Sequence, residues 1–158
     1  MKILFLHGLE SSVGGTKPSF LRELGHEVYE PSLPADSFSE SVYAARAILE
    51  STRIQLIVGS SRGGAIAMKV CNGHNMVLIA PAYKKYIGTG TNLAHIRMKN
   101  HAGSVIINHS MADEVIPLKD SEELLSCENV SLNVVGECHR MNDPDALDAL
   151  EQSISLLG

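Results

Sequence analysis

The sequence predicts an α/β fold, a three-layer αβα sandwich around a mostly parallel sheet of about six strands. Two observations support this prediction. Short apolar runs rich in β-branched residues alternate along the chain with segments of helical character. Several of these runs are apolar almost throughout, which is typical of strands that helices cover on both faces. Because crossovers between parallel strands are right-handed, we expect helices on both sides of the sheet.

Candidate strands and helices can be placed along the chain in order. The strands are expected at Lys2–Leu6, His26–Glu30, Ile54–Val58, Met76–Ala80, Ser104–Asn108 and Ser131–Val135. Ser37 and Glu40 form a capping box, and Asp143 before Pro144 is a typical helix start. Helices are therefore expected over Phe20–Leu24, Val42–Leu49, Arg62–Cys71, Ser121–Leu125 and the segment after Asp143.

One connection is long and has no clear structural pattern in the sequence. We predict a single domain over residues 1–158, in which residues 81–103 form either a plain loop or a short cap or lid. The possible lid or pocket residues in this segment are Tyr83, Tyr86, Gly88 and Gly90.

Composition narrows the classes of function. The chain has 158 residues, 44% hydrophobic and 20% charged, which suits a globular domain with a sizeable core. A net charge of −5, 4% aromatic residues and no tryptophan argue against nucleic acid as a partner. Three cysteines without metal-ligand spacing predict reduced thiols and no metal site. Without a targeting pattern or a membrane-length apolar run, we expect a cytoplasmic protein that does not bind membranes. No pattern indicates an oligomeric state.

A candidate nucleophile follows the third predicted strand. The segment Gly59–Gly64, GSSRGG, contains the spacing G-x-S-x-G around Ser61. This spacing places a serine on a sharp turn between strand and helix, and small neighbours let the two elements pack closely. Ser60 lacks glycines two positions away on either side. Ser61 is therefore the candidate, and a plain Gly/Ser loop is the alternative.

A serine hydroxyl needs a base, usually a histidine oriented by a carboxylate. Ligands of open α/β sheets lie beyond the carboxyl ends of the strands. A candidate carboxylate and a candidate histidine each follow the carboxyl end of a later predicted strand. Asp113 follows the fifth predicted strand, with Glu114 as its main rival, and His139 follows the sixth. The chain thus predicts Ser61 as nucleophile, Asp113 as acid and His139 as base. His109, early in the acid-bearing loop, is expected to make a structural hydrogen bond.

The loop after the first strand, Phe5–Ser19, is rich in Gly and Ser and has two interpretations. A phosphate-binding loop requires the pattern G-x-x-x-x-G-K-[ST]. The fifth residue after Gly8 is Val13, and Lys17 is followed by proline, so that pattern fails. We assign Lys17 to the start of the first helix.

The other interpretation of this loop is one side of an oxyanion hole. Donors in such a site are backbone N–H groups, here those of Leu9 and Arg62. Glu10, Ser11 and Tyr83 are candidate substrate-binding residues. The Arg62 side chain is not required for the oxyanion hole, and it could either bind a substrate carboxylate or be solvated.

The motifs FLHG, GSSRGG, ADEVIP and GECHRM, in this order, resemble the α/β-hydrolase superfamily. Within it, the chain resembles the small bacterial serine esterases of the YqiA-like group. That group shares a loop HG-x-x-SS-x-x-x-x-K, matched here at His7, Gly8, Ser11, Ser12 and Lys17. It also shares the GSSxGG elbow and a D-E-V after the acid-bearing strand. The sequence departs from the family pattern in two ways. It begins at the strand that is normally the third of the full fold, and it has Arg62 where the elbow often has an apolar residue.

The resemblance implies a minimal α/β-hydrolase fold, a Ser61–Asp113–His139 triad and no cofactor. It implies hydrolysis of carboxylic esters, and a short chain with a short cap predicts short acyl groups. A thioesterase or amidase with the same triad is one alternative. A non-catalytic protein-interaction module with the same fold is the other.

Overall fold

The computed structural model describes residues 1–88 and 93–158. Within them, six strands form one sheet in the order β2-β1-β3-β4-β5-β6, and each neighbouring pair is parallel. The strands are β1 (Lys2–Leu6), β2 (Glu27–Tyr29), β3 (Leu56–Ser60), β4 (Asn75–Ile79), β5 (Val105–His109) and β6 (Val130–Val134). The predicted fold class is confirmed, and each predicted strand overlaps an observed one.

The α-helices of the described residues connect these strands, except for the last helix, which follows β6. They are α1 (Thr16–Glu23), α2 (Phe38–Ser51), α3 (Arg62–Val70), α4 (Tyr83–Ile87), α5 (Leu93–Lys99), α6 (Leu118–Glu122) and α7 (Pro144–Leu157). Two of them begin at predicted caps, where the Ser37 and Asp143 side chains each accept a backbone N–H from three residues ahead at 3.2 Å. The Ser37 amide donates to the Pro34 carbonyl at 3.4 Å rather than to the Glu40 side chain that a full capping box would use.

Helices cover both faces of the sheet and create two separate cores. Ile3 and Phe5 of β1 pack in one apolar cluster with residues of α1 and α7. Leu4 and Leu6 pack in the other cluster with α2, α3 and the short helices that follow. Because successive side chains of a strand point to opposite faces, a strand buried on both sides is apolar almost throughout. This is the pattern from which the layered fold was predicted.

The segment 81–103 differs from the expected unstructured connection, because it contains α4 and α5. Ala94 and Met98, four residues apart on α5, are buried and pack in the same core cluster as Tyr83. These helices are only one or two turns long, so their sequence periodicity was too short to indicate them. Gly90 lies outside the described residues, and the lid function of this segment stays a prediction. None of the described helices has the length and apolar character that a membrane crossing requires.

Candidate active site

The turn between β3 and α3 has the geometry of a nucleophile elbow. Ser61 has φ 54° and ψ −114°, a backbone conformation that non-glycine residues rarely adopt. Its N–H donates to the Ile79 carbonyl at 2.8 Å, and its carbonyl accepts from Ala82 N–H at 3.0 Å. A Cβ at Gly63 would lie 1.9 Å from the Leu6 carbonyl oxygen. Only glycine therefore allows α3 to pack this close to β1, which explains that position of the G-x-S-x-G spacing.

The carboxyl ends of β3, β5 and β6 bring three candidate residues together. His139 Nε2 lies 2.9 Å from Ser61 Oγ, and His139 Nδ1 lies 2.7 Å from Asp113 Oδ2. The Asp113 side chain is fully buried, while that of His139 keeps 15% of its surface exposed. A hydroxyl, an imidazole and a carboxylate are thus connected in series, in the arrangement that activates a serine.

Glu114, the main rival for the acid, lies nearby but in a different position. Its Oε2 accepts the backbone N–H of His139 at 3.2 Å. The imidazole itself contacts Asp113, so Asp113 is the carboxylate that can fix the tautomer of the ring.

Four hydrogen bonds hold the Asp113 carboxylate. Oδ1 accepts the amides of Val115 at 2.8 Å and Ile116 at 2.7 Å. Oδ2 accepts from His139 and also lies 3.1 Å from Nε2 of His109. Burial raises the pKa of Asp113, but the donors of Ile116, His139 and Val115 outweigh it, so the pKa lies below its usual value. Asp113 is therefore a carboxylate at neutral pH.

His109 is a second imidazole on this carboxylate. Its ring is fully buried, and Nε2 lies 3.0 Å from the Ile116 carbonyl oxygen as well as close to Asp113. A carbonyl oxygen only accepts, so Nε2 carries the hydrogen and donates. Nδ1 then faces the Ser121 hydroxyl at 2.7 Å. The structural hydrogen bond expected of His109 is thus made, and it reaches the candidate acid itself.

The first loop passes beside the nucleophile. A Cβ at Gly8 would lie 3.4 Å from Ser61 Cβ, and the His7 ring nitrogen Nδ1 lies 2.8 Å from the Gly8 carbonyl oxygen. Among the described residues, the backbone N–H groups of Leu9 and Arg62 have no protein acceptor. Arg62 is the first residue of α3, whose initial N–H groups have no partner within the helix. Both residues line the cavity next to Ser61, which is where donors to an oxyanion would have to lie.

A cavity of about 240 Å³ opens at Ser61 and His139. Its wall includes Glu10 and Ser11, two of the candidate substrate-binding residues. Tyr83, the third candidate, does not belong to this wall: its ring is buried in the core, and its hydroxyl donates to the Asp120 carbonyl at 2.6 Å. Tyr86, also on α4, lines the cavity instead. The expectation for Tyr83 is therefore corrected to Tyr86.

Comparisons with known proteins agree with this geometry at the level of fold. The sequence matches no protein-family model and no curated protein. Solved structures do match. A predicted CIB-like hydrolase from Thermoplasma acidophilum has a TM-score of 0.76 at 17% identity, over 99% of this chain and 85% of that one. The α/β hydrolase domain-containing protein 10 from mouse has a TM-score of 0.73 at 17% identity, over 99% and 88%. The esterase domain of a Rhodothermus marinus protein has a TM-score of 0.69 at 15% identity, over 98% and 83%.

The chain has the α/β-hydrolase fold. In this fold the nucleophile, the acid and the histidine follow separate strands and meet above the sheet. Ser61, Asp113 and His139 follow β3, β5 and β6 in the same order.

Lys17 is a residue of this cavity that the sequence placed only in the first helix. It is the second residue of α1, and it also lines the cavity with 9% of its surface exposed. Its Nζ donates to the Arg140 carbonyl at 2.5 Å and to Asn142 Oδ1 at 2.8 Å. Burial, assisted by the charge of Arg140 and opposed by Cys138 and Asp143, lowers the pKa of Lys17 from 10.5 to about 8. A lysine followed by proline carried no signal of such burial.

We predict that Lys17 destabilises the folded protein at neutral pH. With a pKa of about 8 when folded and 10.5 when unfolded, the unfolded chain binds more protons between these values. Stability therefore rises with pH across this window, and below it the full cost of burying the cation is present. Urea unfolding measures the gain in free energy of unfolding of Lys17→Met over wild type. This gain should be larger at pH 7 than at pH 10.5 by about 3 kcal/mol.

Lys119→Met is the matched control for this measurement. Lys119 is also the second residue of a helix, α6, but it is exposed. Its replacement should change the free energy of unfolding equally at both pH values. If Lys17→Met also changed the free energy of unfolding by the same amount at both pH values, the prediction would be contradicted.

Proposed function

We propose that this protein is a serine hydrolase of carboxylic esters that works through an acyl-enzyme intermediate. The observation that carries the proposal is the hydrogen-bonded series from Ser61 through His139 to Asp113, with distances of 2.9 and 2.7 Å. Among proteins of similar fold, one is named a hydrolase and another an esterase domain. The motifs quoted from the sequence favour a small esterase resembling the YqiA-like group.

In the proposed first half-reaction, His139 Nε2 takes the proton of Ser61 as Oγ attacks the acyl carbonyl carbon. The carbonyl oxygen becomes an oxyanion, which the Leu9 and Arg62 amides stabilise. Asp113 accepts from Nδ1 throughout and stabilises the imidazolium. The tetrahedral intermediate then breaks its bond to the alcohol oxygen, which leaves with the proton from His139.

The second half-reaction repeats these steps with water. His139 deprotonates a water molecule, whose oxygen attacks the acyl carbon of the Ser61 ester. Collapse of this second intermediate releases the carboxylic acid and returns the proton to Oγ. All groups that the cycle needs are side chains and backbone amides of this chain, so the proposal includes no cofactor.

The cavity volume leads to a prediction about acyl length. At about 240 Å³, the cavity is smaller than most small-molecule sites, which span roughly 300–1,000 Å³. With p-nitrophenyl esters of two to twelve acyl carbons, kcat/KM should be highest at about two to four carbons and fall as the chain outgrows the cavity. Highest turnover on the longest esters would contradict this prediction.

The same series tests the function when a fluorophosphonate probe is added. We expect ester turnover and stoichiometric labelling of the wild-type protein. A folded protein that neither labels nor hydrolyses any ester would overturn the proposal and favour the interaction module. Preferential turnover of the matched thioester or anilide would assign the triad to a thioesterase or an amidase.

A further inference from the structure

Arg62 lines the active-site cavity, and its side chain is a buried cation. It is 2% exposed, which excludes the solvated alternative left open by the sequence. Its Nη2 donates to the Pro34 carbonyl at 2.7 Å and to Ser41 Oγ at 3.1 Å. Nε is shielded and has no partner, and no carboxylate of the described residues forms an ion pair with Arg62. Buried charges are ordinarily paired with an opposite charge. Among the described residues, the Arg62 guanidinium has no such counter-ion.

Two aromatic rings fix the guanidinium in place. Phe38 and Tyr86 are stacked with their centroids 5.0 Å apart, and Arg62 Cζ lies 5.8 and 5.6 Å from them. Cation–π attraction to these rings offsets part of the cost of burying the charge. It also immobilises the side chain, so an anion that binds there meets donors that are already oriented.

Lys17 is a second buried cation on the same wall, and both partners of its ammonium are neutral oxygen atoms. The exposed Lys85 and Arg140 also line the cavity, whereas Glu10 is the one carboxylate among its lining residues. A chain with a net charge of −5 thus surrounds its candidate nucleophile with an excess of positive charge. Such a local field attracts and holds anions.

We infer that the ester accepted at this site carries a carboxylate, on its acyl or its alcohol part, which binds to Arg62 and Lys17. The inference rests on the proposed function. A substrate carboxylate supplies the counter-ion that both side chains lack, through charge-assisted hydrogen bonds. A neutral ester of the same shape leaves both cations unpaired.

Two matched pairs of esters test the inference. Monoethyl succinate and ethyl butanoate differ by a carboxylate in place of the terminal methyl group of the acyl part. Acetoxyacetate and ethyl acetate differ by a carboxylate in place of the terminal methyl group of the alcohol part. Hydrolysis is measured by titrating the released acid at pH 7. The value of kcat/KM should be higher for the anionic member of at least one pair by about 10-fold or more.

Variants identify the groups responsible. Arg62→Gln and Lys17→Met should each lower the preference by about 10-fold, the value of one charge-assisted hydrogen bond. The ratio of two substrates on one preparation does not depend on how much protein is folded, so a destabilised variant remains informative. Arg53→Gln removes an exposed cation that precedes β3, on the side of the amino ends of the strands and away from the site, and it should leave the ratio unchanged.

The outcomes separate the inference from the proposed function. Hydrolysis of the neutral esters without preference for either anionic partner overturns the inference alone. A preference that neither Arg62→Gln nor Lys17→Met reduces overturns it as well, and leaves Arg62 with a purely structural role between α2 and α3. Failure to hydrolyse any of the four esters by a protein that still hydrolyses p-nitrophenyl esters overturns the inference alone. Failure with all of these esters, together with no fluorophosphonate labelling, overturns the proposed function and the inference with it.

Discussion

Replacing Ser61 by alanine is expected to reduce kcat for ester hydrolysis by about 10⁴- to 10⁶-fold. Ser61 Oγ lies 2.9 Å from His139 Nε2, so its loss removes the group that the imidazole would deprotonate. The oxyanion donors and the cavity remain, and they account for the residual rate above that in water. The measurement is turnover of p-nitrophenyl acetate, together with the rate of fluorophosphonate labelling, on protein shown by thermal unfolding to be folded.

Ser60→Ala is the matched control, because Ser60 also lines the cavity one residue earlier. The His139 imidazole contacts the Ser61 hydroxyl and not that of Ser60. Loss of the Ser60 hydroxyl should therefore change kcat by less than about 10-fold. Normal turnover and labelling in Ser61→Ala would contradict the assignment of the nucleophile. Loss of both in Ser60→Ala would move that assignment to the neighbouring residue.

Much of the fold could be predicted because its determinants are local in the sequence. A buried parallel strand has to be apolar on both faces, and β1, β3 and β4 have almost continuous apolar runs. The caps at Ser37 and Asp143 are recognisable because their side chains accept the free backbone N–H of the residue three positions later, at the start of the helix. The elbow around Ser61 is likewise local, since close packing of strand and helix requires glycines at fixed spacings.

The remaining features depend on contacts between residues far apart in the chain. Lys17 is buried because Arg140 and Asn142 lie over it, more than a hundred residues later. The burial of Arg62 depends on α2 and α4 meeting around it. Tyr83 was assigned to the pocket because nothing in its neighbourhood indicates that Asp120 would satisfy its hydroxyl within the core. Side-chain environments of this kind are set by topology, which sequence periodicity does not describe.

Replacing Asp113 by asparagine is expected to reduce kcat by about 10⁴-fold. The carboxylate accepts on both oxygens, from two amides at Oδ1 and from two imidazoles at Oδ2. If the new amide nitrogen faces the imidazoles, His139 Nδ1 has to accept, and its hydrogen moves to Nε2, where it blocks proton removal from Ser61. If the nitrogen faces the amides of Val115 and Ile116 instead, donors face donors. Neither orientation satisfies the site.

The second imidazole makes this substitution more costly for stability than the loss of one contact. His109 Nε2 carries a hydrogen, because the Ile116 carbonyl oxygen lies 3.0 Å from it. An amide nitrogen at the position of Oδ2 would therefore face a buried donor with a donor. Asp113→Asn should then also lower the free energy of unfolding, by about 1–3 kcal/mol in urea titrations.

Glu114→Gln provides the matched comparison for Asp113→Asn, since it makes the same chemical change one residue along the chain. Its oxygen accepts a backbone amide of His139, and a glutamine oxygen can accept the same hydrogen. We expect its kcat to stay within about 10-fold of wild type. If Glu114→Gln instead lost more activity than Asp113→Asn, Glu114 would be the acid and Asp113 a support of the loop. We expect Asp113 to be the acid and Glu114→Gln to stay active. Asp113 lies 2.7 Å from the imidazole, and its buried carboxylate is fixed in place by four donors.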